Sequence, residues 1–158
     1  MKKHIFWVWF IVLIIILMIV SFYVFCVHVP YYNHEKSVNE ARNEICETHH
    51  YEYMDYCYEY RGNQLYYILK VKINNVDSYV AYDENLEHVA TYQGDVADEE
   101  HVREAIQQKY QFKPVQLEIG YENQKFVYYA KYQDKESLLY VYYRLSDGEF
   151  LKAVKFEE

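Results

Sequence analysis

Glycine is scarce in this chain, with four in 158 residues. Loops that cradle phosphate or a dinucleotide need several glycines close together, so that the backbone can approach the ligand. No P-loop can be written on this sequence, and no nucleophile elbow. Cysteine is also sparse: Cys26, Cys46 and Cys57, none in a Cys–His pair with supporting context. The best metal-like cluster is His49-His50 beside Glu47 and Glu52. Adjacent histidines at a helix end do not share a face as i, i+4 ligands do, and no third ligand sits at a usable spacing. The expectation is a protein with no catalytic residues, no cofactor and no metal, and therefore not an enzyme.

Basic charge is missing from one region in particular. No Lys or Arg lies between Lys3 and Lys36. Ile5 to Val27 is an apolar run of 23 residues interrupted only by Ser21. About 20 apolar residues in a helix cross a bilayer core. Lys2 and Lys3 place the N-terminus in the cytoplasm and the rest of the chain outside by the positive-inside rule. Trp7 and Trp9 at one end, with Tyr31 and Tyr32 past the other, suit interfacial aromatic belts. A cleaved signal peptide would have an apolar core of only about 7–15 residues and small residues at the cut site. This run is longer and ends in FYVFCVHVP. The bulky Phe25 before Cys26 argues against a lipid-modified cysteine. The expectation is an uncleaved single-pass anchor, embedded in membrane lipid, with the mature protein starting at Met1. Beyond it lie all 24 acidic residues but only 14 of the 16 basic ones. Such a region repels nucleic acid and anionic lipid.

What the chain has in abundance is tyrosine, 21 residues, and a hidden repeat. Shifted by 61 residues it overlays itself: Ser37 on Asp98, Ile45 on Ile106, Met54 on Val115, Tyr67 on Tyr128, and YVAY (79–82) on YVYY (140–143). Each copy opens with a helix signal. Ser37 and Asp98 are N-cap residues, and apolar residues follow at helical spacing: Val38, Ala41, Ile45, then Val102, Ala105, Ile106. Strand-like runs follow, cut by turns at Arg61-Gly62-Asn63, Asn74-Asn75 and Asp83-Glu84-Asn85. The second copy turns at Glu122-Asn123, Gln133-Asp134 and Ser146-Asp147-Gly148. The pattern predicts an α+β protein: an N-terminal transmembrane helix, then two tandem units, each one helix packed on a four-stranded antiparallel meander. The expected segments are 1–29 (cytoplasmic tip and anchor), 30–36 (juxtamembrane linker), 37–94 (first unit) and 95–158 (second unit).

Alternation predicts the faces. Val115, Leu117 and Ile119 point toward their helix, which places Met54, Tyr56 and Tyr58 inward in the first copy by the same offset. Leu65/Tyr67/Leu69/Val71 and Phe126/Tyr128/Ala130/Tyr132 also point inward. The other face carries Tyr66, Ile68, Tyr79, Val127, Tyr129, Tyr140 and Tyr142. Apolar residues on a nominally solvent face mark a candidate contact surface, for a partner or for the sister unit, unless they are ordinary strand formers. On this facing Cys57 lies on the outer sheet surface and Cys46 on the helix, too far apart for an intrachain disulfide.

The anchor, the two units, the strands LYYILKVK and KFVYYAKY and the closing YVYYRLSDGEFLKAVKF resemble the TseB/YpmB family of small membrane proteins of Gram-positive bacteria. That resemblance covers the whole chain. It implies cystatin-like units related to PepSY domains, and a regulator of cell-wall elongation associated with a class B penicillin-binding protein. It implies no catalytic residues. Where inhibitory cystatins carry Gln-x-Val-x-Gly, this chain has Lys72-Ile73-Asn74-Asn75-Val76. The alternative reading is a PepSY-like domain that binds a peptide or protease as inhibitor or sensor.

Overall fold

A computed structural model describes residues 2–114 and 116–157. Met1, the expected start of the mature chain, and Val115, expected to face inward, lie outside them. The elements run α1 (Lys2–Tyr23), a π-turn (Val24–His28), α2 (Val29–His49), β1 (Glu52–Arg61), β2 (Leu65–Ile73), β3 (Val76–Asp83), β4 (His88–Tyr92), α3 (Glu99–Tyr110), β5 (Glu118–Glu122), β6 (Lys125–Gln133), β7 (Ser137–Arg144) and β8 (Phe150–Glu157). The chain is α+β, with a long apolar N-terminal helix and two antiparallel sheets ordered β1-β2-β3-β4 and β5-β6-β7-β8. It divides into two compact units at Glu40/Ala41, and both sheets lie in the second.

In the first unit, apolar side chains from Phe10 to Phe25 are exposed all round the helix, the pattern of a segment made for an apolar solvent. Among the described residues this is the one helix long and apolar enough to cross a membrane, compatible with a single-pass anchor. Ser37 is not an N-cap. It sits inside α2, which begins at Val29. Pro30 does not break the helix because the pattern widens just before it: Val29 N–H bonds the Val24 carbonyl, five residues back. Asp98 is an N-cap, its carboxylate accepting from His101 N–H at 2.9 Å.

In the second unit, Ala41 and Ile45 are buried under α2, with Leu69, Val71, Val80 and Tyr82 buried on the sheet. His49 touches the Tyr82 ring (5.3 Å between centroids) and Arg42 lies over Tyr53. Val102 and Ile106 of α3 are fully buried in the larger core that includes Tyr128, Ala130, Val141 and Tyr143.

The 61-residue offset holds through much of this unit. Both α2 and α3 end at equivalent residues, His49 and Tyr110, and β3 and β7 span equivalent segments. Tyr67 pairs with Tyr82 as Tyr128 pairs with Tyr143. It fails at β1. The first hairpin closes with Arg61 opposite Leu65 across Gly62-Asn63-Gln64, whereas the equivalent hairpin closes with Glu122 opposite Lys125 across Asn123-Gln124. One extra residue in the turn slips the register by one and turns every β1 side chain over. Cys57, opposite Leu69, therefore faces α2, while Tyr58, opposite Ile68, points the other way. The expected inward placement of Tyr56 and Tyr58 is corrected, and so is the outward placement of Cys57.

Candidate functional site

The face of the first sheet that turns away from α2 carries Tyr56, Tyr58, Tyr60, Tyr66, Ile68, Tyr79 and Ala81, and β5 of the second sheet lies against it. β5 is an edge strand, and edge backbone groups need partners when buried. The Tyr56 hydroxyl supplies them: it accepts from Ile119 N–H at 2.9 Å, and the Ile119 carbonyl lies 3.4 Å from it. The Tyr60 ring packs so closely on Gly120 that a Cβ there would stand 2.5 Å from it. Glycine is required at 120 by a ring from the other sheet, not by its own turn.

Two polar chains run through this seam. The Tyr58 and Tyr129 hydroxyls are hydrogen-bonded to each other, and both lie on the Glu118 carboxylate. Tyr60 O–H donates to Glu122 Oε2 at 2.7 Å, and Lys152 Nζ donates to Oε1 of the same carboxylate. Glu122 is a buried charge, 8 % exposed, and both its oxygens are satisfied, which is the condition for keeping a carboxylate inside. Burial pushes the hydroxyls of Tyr56, Tyr58, Tyr60 and Tyr129 well above the usual tyrosine range; for Tyr58 and Tyr129 the hydrogen bond to Glu118, and for Tyr60 that to Glu122, adds to it.

The seven residues expected to form an outward surface fall into two groups. Ile68 (0 % exposed), Val127 (2 %), Tyr129 (8 %) and Tyr142 (9 %) are buried in the core shared by the two sheets. As a surface open to an outside partner, these four are corrected: the two sheets cover them against each other, Ile68 from the first sheet and Val127, Tyr129 and Tyr142 from the second. Tyr66, Tyr79 and Tyr140 are half-buried. Tyr66 meets Tyr121 edge-on at 5.3 Å and Tyr79 meets Tyr56 at 6.3 Å. Tyr140 meets Phe156, which is 56 % exposed, at 6.4 Å. Tyr140 is thus a member of the expected patch with an exposed neighbour, Phe156, which was not expected there. The partners Tyr60, Gly120 and Glu122 were missed. Glu122 gives no sequence signal, because a buried carboxylate reads like any turn acid.

An open cleft of about 600 Å³ lies between the two hairpin turns, with Asn63, Gln64, Asn123 and Gln124 on its walls and Tyr66 and Tyr121 within it. Among the described residues, no three His, Cys, Asp or Glu side chains come together to hold a metal, and no buried side-chain polar atom lacks a hydrogen bond. The geometry is built for cohesion between two sheets. No family model, no curated protein and no solved structure matches the chain.

Proposed function

We propose that the chain is a non-catalytic binding module held outside the cell membrane by its N-terminal helix, and that it regulates cell-wall elongation by associating with a class B penicillin-binding protein. The observation that carries the anchored-module reading is the pairing of a helix apolar all round with a body whose aromatic rows are spent on internal cohesion. Lys2 and Lys3 before the apolar run, with no further Lys or Arg until Lys36, support an outward body. The choice of partner follows from the resemblance to TseB/YpmB proteins. On this reading the two sheets with their helices are a tandem pair of cystatin-like units. The partner contact lies on surface left free by the seam, and Tyr140 with Phe156 is its apolar element.

Crosslinking in intact membranes followed by capture of this chain tests the proposal. Recovery of a class B penicillin-binding protein, lost in a Tyr140→Ser/Phe156→Ser variant that stays folded, is the expected result. Recovery of a membrane protease in its place would replace it with the PepSY-like inhibitor or sensor. A reporter at the C-terminus active only in the cytoplasm would overturn the orientation.

A further inference from the structure

The corrected register of β1 brings two cysteines to the same interface. Cys46 lies on α2 one turn beyond Arg42, and the Arg42 guanidinium sits 5.0 Å from the centre of the Tyr53 ring on β1. Tyr53 and Cys57 are successive positions on one face of β1, since their partners Val71 and Leu69 stand two apart on β2. Leu69 and Val71 are fully buried, and Tyr82 on the same face touches His49 of α2. The flank of α2 that carries Arg42 and Cys46 therefore overlies the part of β1 that carries Tyr53 and Cys57. The Tyr51 N–H, bonded to the Cys46 carbonyl at 3.0 Å, ties this end of α2 to the start of β1. β1 is an edge strand, with a bulge between Tyr53 and Tyr56.

We propose that Cys46 and Cys57 are an oxidisable pair whose disulfide pins α2 to β1, formed by exchange with a low-molecular-weight disulfide. Both are reduced thiols here and both are half-buried. The Arg42 charge acts on each of them, and Cys46 acts on Cys57. Burial raises both thiols, Cys57 to about 11, so exchange is slow at neutral pH and faster in mild alkali. Cys46, beside Arg42 on the helix flank, is the first nucleophile. Its thiolate attacks one sulfur of oxidised glutathione. The glutathione S–S bond breaks, and one glutathione leaves as a thiolate that takes up a proton. Cys57 then gives its proton to solvent and attacks the Cys46 sulfur of the mixed disulfide. The second glutathione leaves and is protonated. The protein loses two electrons and two protons, and glutathione disulfide becomes two thiols.

The test uses the full-length chain in detergent with Cys26→Ser, so that only these two thiols remain, incubated with oxidised glutathione in mild alkali. The expected product is a monomer lighter by two hydrogens, with both thiols lost to a maleimide, restored by reductant, and with a raised Tm. Cys57→Ser in the same background should stop at a single glutathione on Cys46, because the closing nucleophile is gone. Glutathione retained on both cysteines of one molecule, disulfide-linked dimers, or thiols that stay titratable would each overturn the pairing. The reaction is read on the isolated chain, so its outcome is independent of the proposed partner and location.

Discussion

Tyr60 concentrates the chemistry of the seam in one side chain. Its ring excludes a Cβ at Gly120, and its hydroxyl satisfies half of a buried carboxylate. Tyr60→Phe keeps the ring and removes the donor, leaving Glu122 with Lys152 alone. The expected loss is about 1–3 kcal/mol of unfolding free energy in urea, the usual cost of an unsatisfied buried acceptor. Gly120→Ala leaves every hydrogen bond in place and overfills the contact, for about 1–3 kcal/mol, or more where the ring has nowhere to go. A neutral result for both would mean that Tyr60 is not seated on β5. The hydroxyls also set a pH dependence. Tyr56, Tyr58, Tyr60 and Tyr129 ionise at higher pH folded than unfolded, chiefly because they are buried. The unfolded chain gives up these protons near pH 10. Their contribution is therefore whole below about pH 10 and is lost as pH rises toward the folded values. Urea unfolding at a series of pH values should show stability falling above about pH 10, with the phenolate absorbance of these tyrosines appearing together with unfolding. Their titration near the ordinary value in a protein that stays folded would contradict their burial.

At the scale of elements, the helix faces were legible in the sequence and the sheet faces only in part. Val102 and Ile106 recur at helical spacing and both are fully buried, as is Ile45 on α2. Ile45→Ala and Ile106→Ala should each cost about 2–5 kcal/mol, measured by denaturant titration. An unchanged midpoint for either would invert that helix's facing. The second strands and the β3/β7 equivalence were also legible, because the offset of 61 is unbroken there. β1 was not, since Gly62-Asn63-Gln64 holds one residue more than the matching turn and alternation carries no marker of a slip. Ser37 misled for a different reason. A good capping residue starts a helix only where the preceding chain is not already helical, and α2 begins at Val29.

For the whole molecule, the sequence placed apolar residues on both faces of the sheets, as a contact surface or as ordinary strand formers. It could not show what covers the second face, because that depends on which parts of two distant segments meet. Ile68 and Val127 read alike as candidates for a partner, and the fold assigns both to the seam. We expect this seam to join the two sheets into one cooperative body. Hydrogen exchange on the full-length chain in detergent, comparing wild type with Tyr129→Ser, reads that coupling. Tyr129 belongs to β6, yet it reaches Tyr58 on β1 and stacks near Tyr142 on β7. Backbone amides of β2 and β3 should lose protection together with those of β6 and β7. Loss confined to β5–β8, with the first sheet as protected as in wild type, would contradict it.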